Sequence, residues 1–467
     1  MNRIVSAIVF SLVLISGCSL TPAYHPPEAP IPQTWPEGDA YGLEATGTQH
    51  LLAPNLGWNV FFTDPGLQQI IQTALDNNRD MQLSLLNVKK AAALYGIQKA
   101  ELFPSVNTTG GMNRQRIPAD LTTSGLPNTT EIYSVNLGIA SWEIDFFGRI
   151  RSLEDRALEI YMETEEARRS VQIVLISATA GAWLNLAADR EKRNLAEITL
   201  QTQQDILSLI QRRYRAGLAN DVDVNRAQTQ VDVARGDIAL FTQRIALDEN
   251  ALSLLLGKPV PADVLSVNLS EILAPGTFHS GLSSDILLKR PDILAAEHRL
   301  KAANANIGAA RAALFPRISL TTTLGTASSD LSGLFGSSSA TWGFVPQITA
   351  PIFDARLWSA YDAARIENEI SLKLYEKAIQ TAFREVADAL AVNGTVGEQL
   401  AAQASLVNAT ETIYRLANAR YDKGIDSYLS VLDAQRSMYA ARQGLVTLRL
   451  LEFSARVKLY AVLGGGA

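Results

Sequence analysis

The sequence is poor in the residues on which disulfide scaffolds, metal sites and most catalytic centres depend. Its 467 residues hold one cysteine, Cys18, which excludes an intrachain disulfide and any CxxC zinc or redox pair. Four histidines (His25, His50, His279 and His298) are scattered without metal-ligand spacing. Five methionines form no cluster, so copper or silver handling has no support. The net charge of −6, without a basic stripe or an aromatic platform, argues against a nucleic-acid partner. No P-loop, strand-to-helix GxGxxG, GxSxG or HExxH occurs, so no enzyme activity and no cofactor is expected.

The N-terminus carries an address. Arg3 is followed by a short apolar run, Ile4 to Ile15, and then Ser16-Gly17-Cys18. The run is too short to span a membrane and reads as a secretory signal, residues 1–17. Leu14-Ile15-Ser16-Gly17-Cys18 resembles a bacterial lipobox, which implies cleavage before Cys18 and its lipidation. Ser19, in place of the aspartate that retains such lipoproteins at the inner membrane, points to the outer membrane. Residues 18–63 follow as a lipid-anchored segment. Pro22, Pro26, Pro27, Pro30, Pro32, Pro36 and Pro54 predict an extended tether here.

The remainder is a duplication, residues 64–270 and 271–467. Leu102-Phe103-Pro104 returns as Leu314-Phe315-Pro316, and Arg213-Tyr214-Arg215-Ala216-Gly217 returns as Arg420-Tyr421-Asp422-Lys423-Gly424. Each repeat opens with helical periodicity, broken in the first at Asn77-Asn78. A strand hairpin follows, about 105–141 in the first and 317–352 in the second. Tyr133, Val135, Leu137 and Ile139 alternate with Ser134, Asn136, Gly138 and Ala140, the period of a strand with one apolar face. Pro118 to Pro127 and Ser328 to Ala340 read as the hairpin loops, and Trp142 and Trp342 as interfacial aromatics. Two very long helical runs come next, Glu143 to Arg215 and Asp354 to Lys423. The second is expected to be interrupted at Asn393-Gly394 and Gly397. After glycine-stopped tips, at 216–223 and 423–430, helices return over Val222 to Leu256 and Leu429 to Leu459. Gly464-Gly465-Gly466 is expected to fray the end.

Four strands with an apolar face cannot close a barrel, and an open edge is not tolerated in a bilayer. Identical chains must therefore pool strands, and a conduit favours three chains over two.

Several stretches together resemble the outer-membrane factors of tripartite efflux systems, in their lipoprotein branch. They are Gly281 to Ile293, Ala302 to Pro316, Glu143-Ile144-Asp145-Phe146-Phe147-Gly148-Arg149 and the two tips. The resemblance implies a mainly α chain with a small β part. It implies a homotrimer with a 12-stranded transmembrane β-barrel and a periplasmic helical barrel. It also implies partners: outer-membrane lipid, a periplasmic adaptor (membrane fusion protein), and an inner-membrane pump of the proton-driven resistance-nodulation-division type. At the tips it implies a periplasmic gate. Asp433 falls on the inner gating aspartate, and Ser430 stands where some relatives carry a second. Tyr421 and Asp223 occupy positions of a closing contact, with Arg420 beside them. Ala216, Gly217, Leu218, Lys423, Gly424 and Ile425 match adaptor-contact segments; Ala216 and Lys423 depart from the valine common there. Exported substrate is not legible, and hydrophobic drugs are the default. A periplasm-spanning structural coiled-coil lipoprotein shares the long helices but has no use for two apolar strand hairpins.

Overall fold

A computed structural model describes residues 19–41, 56–123, 125–261, 269–276 and 283–466. Cys18 and the signal segment lie outside the described residues, as do Gly281 and Leu282.

The chain is mainly helical with one four-stranded sheet. In order it forms α1 (Pro65–Asn77), α2 (Arg79–Ala100), β1 (Val106–Ile117), β2 (Asn128–Ile144), α3 (Arg149–Arg215) and α4 (Asp221–Leu256). The second repeat forms α5 (Pro291–Ala312), β3 (Arg317–Ser328), β4 (Ala340–Thr349), α6 (Ala355–Asp422) and α7 (Tyr428–Val462). Helix α3 has 67 residues and α6 has 68, each about 100 Å at 1.5 Å per residue.

Two compact units share these elements. One holds Asn87–Glu165, Ala295–Tyr375 and the chain up to Glu28. The other holds Ala29–Leu86, Glu166–Leu294 and Glu376–Ala467.

The first unit carries the sheet, ordered β1-β2-β3-β4 and antiparallel throughout. The two hairpins thus join through β2 and β3, leaving β1 and β4 as free edges within this chain. Partners across the ladders share a face. One face carries Val106, Met112, Tyr133, Val135, Leu137, Ile139, Leu320, Leu324, Trp342, Phe344 and Ile348. A bulge between Ile139 and Trp142, with Ser141 at φ 54°, inserts one residue. The slip places Trp142 opposite Leu320 and Ile144 opposite Ile318. The apolar face therefore continues to the end of β2, as a one-residue insertion must arrange in a two-residue period. From Tyr133 to Ile144 the band runs about 36 Å along the strand, or about 25 Å in height at a 45° tilt.

In the same unit, residues 19–28 are extended yet not free. Asn304 Nδ2 donates to Pro22 O at 2.8 Å, and Arg311 Nη1 to Leu20 O at 3.2 Å. Thr21 Oγ1 lies 3.0 Å from Ser152 Oγ. A Cβ on Gly308 would fall 2.1 Å from Thr21 Oγ1, so glycine is what lets the segment lie down there. Carbonyls that proline-rich backbone leaves outside any ladder are satisfied by side chains of the body.

In the second unit a core forms from Phe61, Phe62, Ile70 and Ile71 of the N-terminal helices with Trp183, Leu184, Leu252, Leu256 and Tyr460. Phe61 and Tyr460 stack at 4.1 Å. The joint between α1 and α2 falls where the asparagine pair predicts it. Asn78 Oδ1 accepts from Met81 N while Nδ2 donates to Leu255 O, both at 3.0 Å. Arg290 of the Lys289-Arg290-Pro291-Asp292 motif is buried as a clamp. It donates to Val462 O at 2.7 Å, Asp292 Oδ2 at 2.7 Å and Glu385 Oε2 at 3.0 Å.

Three sequence expectations are corrected. Helix α3 starts at Arg149, not Glu143, because β2 runs to Ile144 and Asp145 caps the helix. Its carboxylate accepts from Ile150 N at 3.0 Å and Arg151 N at 2.9 Å. Helix α6 is unbroken through Asn393-Gly394 and Gly397. Asn393 Nδ2 donates to Ala389 O at 2.8 Å and to Ala455 O of α7 at 3.1 Å, so its side chain staples the helix instead of ending it. The C-terminal glycines do not fray. Gly464 and Gly466 take φ of 83° and 88°, Gly465 N donates to Tyr460 O at 3.0 Å, and Gln172 Nε2 donates to Gly466 O at 2.8 Å.

Between α3 and α4, Asp248 presents a buried Oδ2 without a hydrogen-bond partner. Burial, and next Asp189, push its carboxyl up to about 6, against the opposing pull of Arg244. Folding is unpenalised below the ordinary carboxylate range, and the stability is lost as pH rises through 6. Asp248→Asn is therefore expected to raise the thermal midpoint at pH 7.5. The gap should close as pH falls from 6 towards 4, followed by circular dichroism in detergent.

Candidate functional site at the hairpin tips

The two tips lie in the second unit and repeat one construction. At the first, α3 ends in Arg212, Arg213 and Arg215, cations placed where the helix C-terminus is negative. Gly217 at φ 74° donates to Tyr214 O at 2.9 Å, and Leu218 N donates to Arg213 O at 2.8 Å. Asn220 then caps α4 in a reciprocal box with Asp223. Asp223 N donates to Asn220 Oδ1 at 2.9 Å, and Asn220 N to Asp223 Oδ2 at 3.4 Å. At the second tip, Gly424 at φ 71° donates to Tyr421 O at 2.9 Å, and Ile425 N donates to Arg420 O at 3.0 Å. Ser427 precedes α7 but makes no side-chain cap.

A small core fastens one hairpin to the other. Ile210 and Ala227 of the first pack with Ala417, Tyr428, Val431, Leu432 and Ala434 of the second. Tyr421 lies against its rim, with the Arg213 guanidinium 4.9 Å from its ring centre and Tyr428 at 5.5 Å. The Tyr428 hydroxyl is buried without a hydrogen-bond partner, and burial foremost pushes its pKa up. Further along the same helices, the side-chain carbonyls of buried Gln203 and Gln435 are likewise unpaired.

The sequence-assigned gate residues divide into two groups. Asp433 and Ser430 are exposed, one turn apart on α7. Asp223 is spent on its capping box, and Tyr421 on its packing under Arg213. Arg420 is held within its own tip: Nε donates to Asp426 Oδ2 at 2.6 Å and Nη2 to Oδ1 at 3.0 Å. The pair holds the Asp426 carboxyl below the ordinary carboxylate range. Ala216, Gly217, Leu218, Lys423, Gly424 and Ile425 are all exposed. Leu218 and Ile425 present 70% and 59% of their surface, apolar area with no partner among the described residues. Sequence reasoning missed Arg213 and Asp426. Arg213 could have been found, because it aligns with Arg420 in the repeat; Asp426 has no counterpart to point to it. Among the described residues no group of carboxylates and histidines is placed to hold a metal.

A family model described as outer membrane efflux protein matches residues 70–258 and 282–465. The chain belongs to the outer membrane efflux protein family. The solvent efflux pump outer membrane protein SrpC of Pseudomonas putida is 47% identical over 460 residues, 98% of this chain and 97% of that protein. The antibiotic efflux pump outer membrane protein ArpC of Pseudomonas putida is 45% identical over 467 residues, 100% of this chain and 96% of that protein. Among solved structures, the open state of the MtrE outer membrane channel of Neisseria gonorrhoeae superposes with a TM-score of 0.86. It is 34% identical, covering 96% of this chain and 98% of that one. This outer membrane efflux protein thus shares the fold of known channels, and family and relatives are channels or transporters rather than enzymes.

Proposed function

We propose that the chain is the outer-membrane channel of a tripartite efflux pump, a passive conduit carrying small toxic compounds to the exterior. The observation that carries this is the sheet: an apolar stripe along β2, about 25 Å high at a 45° tilt, flanked by apolar residues of the other three strands, with the two outer edges unpaired among the described residues. Each unpaired backbone group would cost several kcal/mol in lipid. Three copies supply twelve strands and remove every edge, so the working form is a homotrimer. Leu20, two residues beyond the proposed lipidation at Cys18, is held by Arg311, six residues before β3.

The tips form the periplasmic gate. Asp433 from three copies makes one acidic ring at the mouth, with Ser430 adding no charge. Tyr421 and Asp223 belong to the closing contact through the hairpins they brace. The exposed apolar Leu218 and Ile425, with Ala216, Gly217, Lys423 and Gly424, are the docking surface for a periplasmic adaptor. An inner-membrane pump of the proton-driven type supplies the energy. The adaptor opens the gate to the extent that it binds the open tip better than the closed one. Relatives named for solvent and antibiotic efflux favour hydrophobic small molecules as cargo.

Planar-bilayer recording of the purified protein tests this. Stepwise ion currents are expected; their absence would favour the periplasm-spanning structural lipoprotein. Deletion of the gene is expected to sensitise cells to organic solvents and hydrophobic antibiotics.

A further inference from the structure

The apolar face of the sheet ends in charge at one end only. Above Met112 and Tyr133, which face each other across β1 and β2, the next pair on the same face is Arg114 with Glu131. Arg116 with Thr129 follows. Both arginines therefore project from the lipid-facing side, one and two steps beyond the apolar band. Both are exposed, Arg114 with 64% of its side chain. Arg114 Nε pairs with Glu131 Oε1 at 2.9 Å, whereas the Arg116 guanidinium has no ion pair or hydrogen bond among the described residues. The other strand charges, Glu143 and Arg317, lie at the opposite ends of their strands. The antiparallel order puts both hairpin loops at the arginine end. In the channel reading, on which this inference rests, that end faces the cell exterior.

We propose that Arg114 and Arg116 bind the phosphate groups of the lipid that forms the outer leaflet. A guanidinium fork matches phosphate oxygens in two-pronged geometry and is less strongly hydrated than an ammonium. Two successive outward positions on one strand are about 6.6 Å apart, a spacing that serves one headgroup bearing two phosphates or two adjacent headgroups. Glu131 neutralises part of the Arg114 charge and fixes its direction. Arg116 remains the uncompensated cation, although Asp120 in the β1–β2 loop and Asp330 in the β3–β4 loop lie towards the same end. Arg116, exposed and without a carboxylate partner among the described residues, is the cation available to an external anion. β1 is also an edge strand of the single chain, so the bound lipid would lie over the seam between copies.

The probe is lipid A carrying both phosphates, with dephosphorylated lipid A as control, titrated into the detergent-solubilised full-length protein. Wild type is expected to bind the phosphorylated form roughly tenfold more tightly than the control. Arg114→Ala with Arg116→Ala is expected to erase that preference, and Arg114→Lys with Arg116→Lys to retain part of it. Equal binding of phosphorylated lipid A by wild type and the double alanine variant overturns the proposal. So does equal affinity of wild type for the two lipids. Conductance of the same preparations reads the channel assignment separately, so a failure of one is distinguishable from a failure of the other.

Discussion

Valine in place of Gly138 or Gly325 is expected to cut assembly of the channel severely. These glycines face the β2–β3 ladder, which joins the two repeats within the sheet. A Cβ on Gly138 would sit 2.1 Å from Thr322 O and 2.8 Å from Thr323 Cα. A Cβ on Gly325 would sit 2.3 Å from Val135 O and 2.8 Å from Asn136 Cα. Asn136 Oδ1, 2.4 Å from the Gly325 Cβ position, can rotate away, but the other obstructing atoms are backbone, so side-chain rotation alone does not relieve the contact and the strands must separate. Overpacking of a close-fitting site costs about 1–3 kcal/mol even where side chains can yield; here the cost lies at or above the upper figure. The yield of oligomer in detergent extracts is expected to fall by about tenfold or more. Gly111→Ala is the control: it lies in β1, but its Cβ meets nothing within 4 Å. Assembly of that variant should match wild type.

If Asp433 forms the proposed gate ring, Asp433→Asn is expected to weaken block of the channel by multivalent cations. In the proposed trimer, three carboxylates around one axis would focus the field at a narrow mouth, where a trivalent cation gains most. The asparagine variant should need roughly tenfold or more trivalent cation for half-block in bilayer recordings. Arg420→Ala should change the half-blocking concentration little, because its guanidinium is occupied by Asp426 in an exposed pair, and such pairs contribute little. If both variants behave alike, the ring is not at Asp433.

Much of this fold is legible in the sequence because its signals are periodic and repeated. Alternation at Tyr133 to Ile139 marks β2, and the glycine tips at Gly217 and Gly424 sit where the repeats align. What escapes is what periodicity does not encode. The pairing of β2 with β3 links residues such as Leu137 and Leu324, far apart in sequence, and the bulge at Ser141 is a local kink. Asn393 reads as a helix breaker by propensity, but tertiary contact with Ala455 makes it a staple. The triple glycine reads as a fraying end, yet small residues are what allow the turn to bury against Tyr460. At the site, Asp433 and the tip residues Ala216 to Leu218 and Lys423 to Ile425 are exposed, and their proposed roles rest on the resemblance. The occupation of Arg420 by Asp426 was invisible, because nothing in the repeat aligns an acid there.

Separate copies are proposed to complete one wall by pairing β1 of each with β4 of the next. Disulfide trapping tests it most directly, since Cys18 is the sole native cysteine. One cysteine is placed in β1 at Asn107 and a second is scanned along β4 from Thr341 to Gln347. Oxidation of the membrane-embedded protein is expected to give covalent dimers and trimers at one or two adjacent scan positions, and no larger species. Monomer at every position, or a ladder extending beyond three chains, would contradict it.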